Sequence, residues 1–270
     1  MNPAAALEDH VGTWKSRMGA FFPAEQRTVF RGHDLHRELK DMGWVELCLY
    51  GITGRRHTPQ QVRFLEALCV FTSYPDPRIW NNRVAALAGT ARSTGALGIS
   101  AALAVSEAHI YGRGNEMQAI SFFLATRKTL DDGGSLEACV RREVATYRRV
   151  AGYGRPLVNA DERMGPTMTL ARELGFADGP HVRLAYSVEQ FLLASGRELR
   201  LNYGGLISAF GADLGFTPQE FYLFIYPVFL AGMHPCFIEA AEQPEGTLFP
   251  LPCDRIAYQG PEKRRWLPSR

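Results

Sequence analysis

The amino-acid sequence predicts an all-α protein, and three observations support this class. Apolar residues recur mostly at spacings of three and four, the period of one helical face. Two Thr-Pro pairs, at 58–59 and 217–218, each supply an N-cap and a proline at the first helical position. The two-residue alternation that is typical of half-buried strands does not run for any useful length.

The predicted helices follow one another in chain order. Apolar residues within 62–69 fall on one face of the first clear helix. Residues 85–108 predict a helix that is nearly free of charge and rich in small residues, which allows close helix contact. A basic helix follows at 136–149 and an amphipathic helix at 182–194. Residues 218–242 predict a long, mostly apolar helix that is kinked at a proline. Helices without a polar face must be enclosed by the fold or by a second subunit.

Composition excludes several classes of function. A chain of 270 residues can bury a substantial core and forms one to two domains on a length prior. Thirty Lys and Arg against 28 Asp and Glu leave a formal charge of only +2, which argues against a nucleic-acid binder. The five cysteines are scattered, without a C-x-x-C pair or zinc-ligand spacing, so we expect reduced thiols and no metal site.

The sequence also predicts where the protein is located. We find no stretch that approaches the ~20 apolar residues of a membrane span. The first ten residues lack the basic and apolar regions of a secretory signal. We therefore expect a cytoplasmic protein without a membrane partner.

Three glycine-marked turns stand out, namely Y-G-R-G-N at 111–115, G-Y-G-R at 152–155 and L-N-Y-G-G at 201–205. A single such turn is most simply the end of a helix, because glycine is a common C-cap. All three carry polar side chains beside the glycines, which suggests polar loops that converge on a cleft.

Five stretches of sequence, in chain order, carry a further resemblance. They are R-G-H-D-L-H-R-E-L (31–39) with Y-G-I-T-G-R (50–55), A-H-I-Y-G-R-G-N-E (108–116), G-Y-G-R-P (152–156) with D-E-R (161–163), L-N-Y-G-G-L-I (201–207), and C-D-R-I-A-Y-Q-G-P-E (253–262). Their order and spacing resemble the citrate synthase superfamily, and particularly its short members, citryl-CoA lyase and the lyase module of ATP-citrate lyase. The corresponding family motifs are R-G-x-D-L with L-x-T-G-R, G-P-L-H-G-G-A-N-E, G-F-G-H-R-V with D-P-R, N-V-D-G-L-I, and P-R-Q-L-Y-V-G-P-E.

The resemblance implies a citrate-synthase-like fold with a large and a smaller helical domain. We expect the large domain to comprise residues 1–125 and 206–270, and the small domain residues 126–205. Subunits of this family form two-fold dimers in which the cleft is completed across the interface. The charge-poor helices of this chain need such a partner surface, so we expect a homodimer.

Three positions that carry catalysis in the family are changed in this chain. In the family, one histidine polarises the acyl-CoA carbonyl, an aspartate removes the α-proton, and a second histidine activates the oxaloacetate carbonyl. Residue by residue, these positions are Tyr111, Gly204 and Arg155. A glycine cannot accept a proton, and loss of a general base slows a reaction by ~10²–10⁴-fold. We therefore do not expect a standard citrate synthase reaction.

The new residues at two of these positions still offer polar chemistry. Tyr111 can donate a hydrogen bond and so polarise a carbonyl. Arg155 is permanently charged and can clamp a carboxylate or stabilise an oxyanion, but it cannot shuttle protons. We assign both as catalytic candidates, with Asn202 and His109 as helpers. His109 could act as a substitute base, and the alternative is a capping or structural histidine.

Two arginines match the positions that contact substrate carboxylates in the family. Arg163 stands in the D-P-R position and Arg255 in the P-R-Q position. A planar guanidinium suits bidentate carboxylate binding, so the pair indicates a di- or tricarboxylate ligand. Arg113 and Asn115, in the altered turn, are further substrate-binding candidates. For Arg163, a salt bridge to its acidic neighbours is an equal alternative.

The end of the basic helix is the candidate site for a CoA-like ligand. Arg148 and Arg149 could meet its phosphates just before the turn at Gly152 and Gly154. A solvated helix face explains these arginines equally well. The sequence contains no P-loop, dinucleotide-binding or serine-hydrolase motif, and we expect no covalently bound cofactor. CoA or a CoA thioester would be a substrate.

Two hypotheses about function follow from these residues. The first is a divergent enzyme that acts on a carboxylate or acyl-CoA substrate by forming or cleaving a C–C bond, or by a related carbonyl reaction. The second is a catalytically silent paralogue that binds a ligand or another subunit. Loss of all three catalytic positions favours the second, whereas new polar residues at two of them favour the first.

Overall fold

The computed structural model describes residues 5, 8, 11–12, 15–108, 113–155, 161–247 and 252–262. Contacts between Cα atoms divide the chain into two compact units. The first unit comprises Met1–Tyr74 and Leu103–Ala231, and the second comprises Pro75–Ala102 and Gly232–Arg270. The boundaries predicted for a large and a small domain differ from this division and stay a prediction.

Helices dominate the described residues, which confirms the all-α class. The α-helices are α1 (Trp44–Thr53), α2 (Pro59–Thr72), α3 (Trp80–Thr90), α4 (Gly95–Ala104), α5 (Arg113–Asp131), α6 (Leu136–Tyr147), α7 (Met164–Leu174), α8 (Pro180–Ala194), α9 (Tyr203–Asp213), α10 (Pro218–Ile225) and α11 (Leu230–Glu242). Short 3-10 helices lie at Pro23–Glu25, Tyr226–Phe229 and Cys253–Arg255.

A small antiparallel sheet precedes α1, an element that the sequence analysis did not predict. Strand β1 (Gly19–Phe22) pairs with β2 (Arg27–Phe30), which pairs with β3 (His33–Asp34). These strands are two to four residues long, too short for a two-residue alternation to be recognised. Gly19 permits the pairing, because a Cβ atom there would overlap the carbonyl oxygen of Val29.

Both Thr-Pro pairs begin helices, as predicted. At the start of α2, the Thr58 side chain accepts a hydrogen bond from Gln61 N, and the Gln61 side chain accepts one from Thr58 N. Thr217 and Glu220 form the same reciprocal capping box at the start of α10. An N-cap of this kind stabilises a helix by about 1 kcal/mol.

The single helix predicted over residues 85–108 is wrong, because two helices occupy this stretch. Helix α3 ends at Thr90, and α4 begins at Gly95. Between them, Arg92 adopts a left-handed φ of 58°, which ends the helical geometry. Its guanidinium donates to the carbonyl oxygen of Ala241 at the end of α11. No proline lies between α3 and α4, so the pattern of apolar and small residues continues through the break and gave no sign of it.

The predicted long helix at 218–242 is a continuous helical run with a 3-10 segment in its middle. Pro227 lies in that segment, where the kink was predicted. Among the described residues, Pro218–Glu242 is the one helix long and apolar enough to cross a membrane by length and composition. The expectation that no stretch reaches this length is therefore wrong. Phe221, Phe224 and Ile225 of this run are buried in the core of the first unit.

The core of the first unit is built around α9, which is buried along nearly its whole length. This helix packs against α5 and α8. Phe210 of α9 meets Phe64 of α2 edge to face, with ring centroids 4.8 Å apart. A fully buried Phe or Leu side chain stabilises the fold by about 1.5–3 kcal/mol. The helix that carries position 204 is thus held on several sides.

The second unit packs α3 against the C-terminal part of α11 through small residues. Ala86, Cys236 and Ala240 form a buried cluster. A Cβ atom on Gly89 would overlap the carbonyl oxygen of Phe237, so the two backbones lie in direct contact. This close approach is what the small-residue composition of the stretch predicted.

Candidate functional site

The first glycine-marked turn lies mostly outside the described residues. Tyr111 and His109 are not described, and their predicted roles stay predictions. Arg113 begins α5, and only its backbone is described. Asn115, in the first turn of α5, is half-buried, and its Oδ1 has no hydrogen-bond partner among the described residues.

The second and third glycine turns meet, and Asn202 joins them. Its Nδ2 donates to Gly154 O at 2.7 Å, and its backbone N donates to Gly152 O at 2.9 Å. Its Oδ1 accepts from Gly205 N at 3.0 Å and so caps the start of α9. Asn202 was predicted as a catalytic helper, and the structure gives it these structural bonds. The convergence of two polar turns, expected from the sequence, is seen here.

Glycines at this meeting point allow backbone atoms to touch. Gly152 and Gly154 have φ angles of 88° and 81°, a conformation that L side chains rarely adopt. A Cβ atom on Gly152 would lie 2.6 Å from Gly205 Cα. We call Gly152 and Gly205 the glycine contact. Packing explains the glycine at 152, and the predicted cofactor role of Gly152 and Gly154 stays a prediction.

Arg163 is engaged by a buried carboxylate of its own loop. Its Nε and NH2 donate to the two oxygens of Asp161, each at 2.8 Å. The side chain of Asp161 is only 2% exposed, and Asp161 also accepts from Tyr203 N at 3.2 Å. The Arg163 guanidinium lies over the Tyr203 ring at 4.3 Å and the Tyr74 ring at 5.4 Å. This is the salt-bridge alternative that the sequence left open for Arg163.

Arg155 contacts the other acid of the same loop. Its NH1 donates to Glu162 Oε2 at 2.6 Å and lies 3.8 Å from Asp161 Oδ1. The Tyr74 hydroxyl donates to Glu162 Oε1 at 2.8 Å. The side chain of Glu162 is 57% exposed, in contrast to that of Asp161. We call Arg155, Asp161, Glu162 and Arg163 the arginine–acid cluster.

The pKa values within this cluster reflect the ion pairs. Hydrogen bonds from Arg155 lower the pKa of Glu162 to about 2. Burial opposes ionisation of Asp161, but the bonds and charge of Arg163 outweigh it and lower the pKa of that carboxyl. Burial, and then the hydrogen bond to Glu162, raise the pKa of Tyr74 to about 12. Both acids are therefore ionised at neutral pH and balance the two arginines.

The predicted arginines at 148, 149 and 255 take no part in these bonds. Arg148 is exposed and ends α6 in a left-handed conformation, with φ of 61°. Arg149 donates to Gln118 Oε1 at 3.4 Å. Arg255 is exposed and belongs to the second unit, in the 3-10 helix Cys253–Arg255. Their predicted contacts with ligand stay predictions.

Glu116 is a residue of the site that the sequence analysis did not single out. It lies in the first turn of α5, and a Cβ atom on Gly204 of α9 would lie 3.2 Å from its Oε1. The Ser208 hydroxyl lies 3.2 Å from Glu116 O and 2.7 Å from Gly204 O. Its place at the end of A-H-I-Y-G-R-G-N-E was the one available signal. The contact itself joins residues 88 positions apart.

The described residues offer acid–base and anion-binding chemistry. They contain no group of three or more His, Cys, Asp or Glu side chains that could hold a metal ion. Guanidinium groups at Arg155 and Arg163 can bind carboxylate oxygens. A carboxylate at Glu116 can accept a proton.

No protein-family model matches the sequence, and no curated protein sequence matches it. Solved structures do match. The citryl-CoA lyase from Hydrogenobacter thermophilus aligns with a TM-score of 0.81 at 21% identity, over 94% of this chain and 97% of that chain. ATP citrate lyase from Methanosaeta concilii, a mutant in complex with (3S)-citryl-CoA, aligns with a TM-score of 0.71 at 17% identity, over 97% of this chain and 45% of that chain.

A citrate synthase also shares the fold. The enzyme from Thermoplasma acidophilum, in a ternary complex with carboxymethyl coenzyme A and oxaloacetate, aligns with a TM-score of 0.64 at 19% identity. The alignment covers 84% of this chain and 59% of that chain. This chain thus spans nearly all of the lyase but about half of the ATP citrate lyase. Its fold is the helical fold of citryl-CoA lyase and the citrate synthases, as its motifs predicted.

Proposed function

We propose that this protein is a divergent enzyme of the citrate synthase and citryl-CoA lyase type. It acts on a carboxylate-bearing or acyl-CoA substrate by forming or cleaving a C–C bond, or by a related carbonyl reaction. The substrate is a small molecule, and CoA takes part as a thioester and not as a bound cofactor. Arg148 and Arg149 are the proposed contacts of its phosphates, and Arg255 is a proposed carboxylate contact.

The observation that carries this proposal is the exchangeable ion pair between Arg155 and Glu162. Glu162 is the exposed acid of the arginine–acid cluster, and it binds the Arg155 guanidinium as a substrate carboxylate would. Asp161 is buried and holds Arg163 in place. A ligand carboxylate can therefore replace Glu162 at modest cost, because an exposed ion pair contributes only about 0–1 kcal/mol.

The ligands bound in two of the similar structures support the same class of substrate. One structure holds (3S)-citryl-CoA, and another holds carboxymethyl coenzyme A with oxaloacetate. Each of these ligand sets combines a CoA moiety with carboxylates. Two guanidinium groups within one loop cluster suit such a ligand.

The second candidate function is a silent paralogue that binds a ligand or a subunit. It is favoured by the same cluster, because the guanidinium groups of Arg155 and Arg163 both contact protein carboxylates. Under this alternative, the cluster is a structural lock and no turnover takes place.

Thermal-shift and turnover measurements on the same protein separate the two candidates. CoA, acetyl-CoA, oxaloacetate, citrate and citryl-CoA are each added to the purified chain. A ligand at ~100 times its Kd stabilises the folded state by ~2.7 kcal/mol. A shift with citryl-CoA, together with release of acetyl-CoA, supports the enzyme. A shift without turnover supports the silent paralogue, and no shift with any compound overturns both the carboxylate and the CoA assignment.

Variants of the Arg155–Glu162 ion pair test where the ligand binds. Arg155→Ala is expected to abolish most of the shift, whereas Glu162→Gln is expected to increase it by removing a competing carboxylate. Arg127→Ala is the matched control, because Arg127 forms an exposed ion pair with Asp131 on α5. A shift that is unaltered in Arg155→Ala would put the carboxylate elsewhere.

We also propose a cytoplasmic homodimer. Leu97 and Ile238, both in the second unit, are 68% and 55% exposed. Exposed apolar side chains of this size on charge-poor helices favour cover by a partner. Sedimentation velocity at micromolar concentration tests the oligomeric state, and a monomer at all concentrations would contradict the homodimer.

A further inference from the structure

Gly204 leaves a gap on α9, and a carboxylate from α5 enters it. A Cβ atom on Gly204 would lie 3.2 Å from Glu116 Oε1 and 3.6 Å from Glu116 Cγ. Ordinary van der Waals contact of a Cβ atom begins at about 3.4 Å. A side chain at 204 would therefore press on the Glu116 carboxylate. The Glu116 carboxylate thus lies against the position that a side chain at 204 would occupy.

A side chain of α9 bonds the backbone at Glu116 and so joins the two helices. The Ser208 hydroxyl lies within hydrogen-bond distance of Glu116 O and Gly204 O, which joins the first turn of α5 to the first turn of α9. Oε2 of Glu116 is shielded from solvent, while the residue as a whole and Gly204 are half-buried. The backbone that carries the carboxylate is thus fixed beside a partly open position.

Asp161 and Glu162, the acids of the arginine–acid cluster, are poor proton acceptors. Glu162 is held by Arg155, and its pKa is about 2. Asp161 is held on both oxygens by Arg163, which lowers its pKa as well. A base with so low a pKa has little driving force to remove a proton from carbon. Neither acid meets the need for a base that Gly204 leaves.

We propose that Glu116 is the general base of the reaction proposed above, on which this inference rests. Its carboxylate takes a proton from the carbon next to the thioester carbonyl. The C–H electron pair forms the C=C bond of an enolate, and the carbonyl π pair moves to the oxygen. In the opposite direction, the protonated Glu116 returns the proton to that carbon. Glutamate from α5 thus supplies from one side what an aspartate at 204 would supply from the other.

Exchange of the acetyl-CoA methyl hydrogens with D₂O, followed by NMR, measures this step alone. Wild-type protein is expected to catalyse exchange, and Glu116→Gln to slow it by ~10²–10⁴-fold. Binding of acetyl-CoA, followed by thermal shift, is expected to be retained. Glu143→Gln is the matched control, because Glu143 is a half-buried carboxylate that accepts from Gln118 of α5. Its exchange rate is expected to equal that of the wild type.

A rescue experiment keeps the test valid if Glu116→Gln folds poorly. In Glu116→Ala/Gly204→Asp, the new carboxylate starts where the old one ended, so exchange is expected to recover at least tenfold over Glu116→Ala. The Glu116→Ala/Gly204→Asn protein offers the same shape without a base, and no recovery is expected.

The outcomes separate this inference from the proposed function. Wild-type protein that binds no thioester overturns both. Binding without exchange, or exchange that is equal in wild type and Glu116→Gln, overturns the base and leaves the binding assignment standing. Lower stability of Glu116→Gln with an unchanged exchange rate would make Glu116 a packing residue and overturn the proposal.

Discussion

The arginine–acid cluster and the glycine contact both hold the start of α9, but they do so by opposite means. The cluster reaches this helix through Asp161, which accepts from Tyr203 N. The glycine contact reaches it through Gly152, whose missing side chain lets the backbone touch Gly205. The cluster depends on four charged side chains, whereas the glycine contact depends on the absence of side chains.

The difference separates what can rearrange from what cannot. An exposed acid such as Glu162 can leave Arg155 when a ligand arrives, because solvent offsets the lost bond. The glycine contact has no such alternative, since its geometry is steric and its neighbours are buried. A fixed frame beside an exchangeable ion pair is a suitable arrangement for binding an anionic substrate in one orientation.

The largest expected effect is the loss of the buried ion pair. Arg163→Ala leaves Asp161 buried without its bidentate partner, which typically destabilises a protein by about 3–5 kcal/mol. Urea unfolding followed by circular dichroism measures the change. Arg78→Ala, which removes an exposed pair with Asp76, is the control and should cost far less. Equal losses would mean that burial of Asp161 does not matter.

The second-largest expected effect is the disruption of the glycine contact. Gly152→Ala combines a left-handed φ with a Cβ atom 2.6 Å from Gly205 Cα, and backbone strain alone costs about 1–3 kcal/mol. Gly133→Ala is the matched control, since Gly133 has φ of 82° but no atom within 4 Å of the added Cβ. We expect a larger drop in melting temperature for Gly152→Ala. An equal drop would show that the contact yields easily.

Removing the link between the two glycine turns has a smaller effect. Asn202→Ala loses the N-cap of α9 and the bond to Gly154 O, and loss of a cap costs about 0.5–2 kcal/mol. Asn202→Asp keeps the acceptor for Gly205 N and loses the donor to Gly154 O. Its melting temperature should therefore lie between those of the wild type and Asn202→Ala. If Asn202→Asp matches Asn202→Ala, the donor bond dominates.

The smallest expected effect is the loss of the exposed ion pair between Arg155 and Glu162, and this effect depends on pH. The pKa of Glu162 is about 2, below its ordinary value of 4.5. A depressed pKa means that the pair stabilises the fold above pH 4.5 and that this contribution is lost as pH falls through 2. Glu162→Gln should therefore lower the melting temperature slightly at neutral pH, by less than about 1 kcal/mol in stability, because the side chain is exposed. The difference should vanish near pH 2, and a constant difference would contradict the assignment.

The fold class and the helix starts were predictable from local sequence. Thr58 and Thr217 begin helices because the cap and the proline act over a few residues. The break at Arg92 was not, since it depends on a side chain that reaches the distant end of α11. The sheet at Gly19 was missed because its strands are too short to show a period.

The candidate site was predictable only in part. Motif order brought Gly152 and Asn202 to attention, and the structure places them together. Whether Arg163 faces a ligand or its own acids depends on side-chain orientation, which no spacing reveals. The contact between Glu116 and Gly204 was beyond reach for a similar reason, because it arises from the crossing of two helices far apart in the chain.

The bonds of Asn202 to Gly152 and Gly154 close a loop that contains α7 and α8. Forming such a loop costs chain entropy, but that cost grows only with the logarithm of loop length. Residues inserted between α7 and α8 would therefore change the folding equilibrium little and leave the two ends joined. The connection between α7 and α8 can therefore change in length while α8 keeps its packing against α9 and the start of α9 keeps its shape.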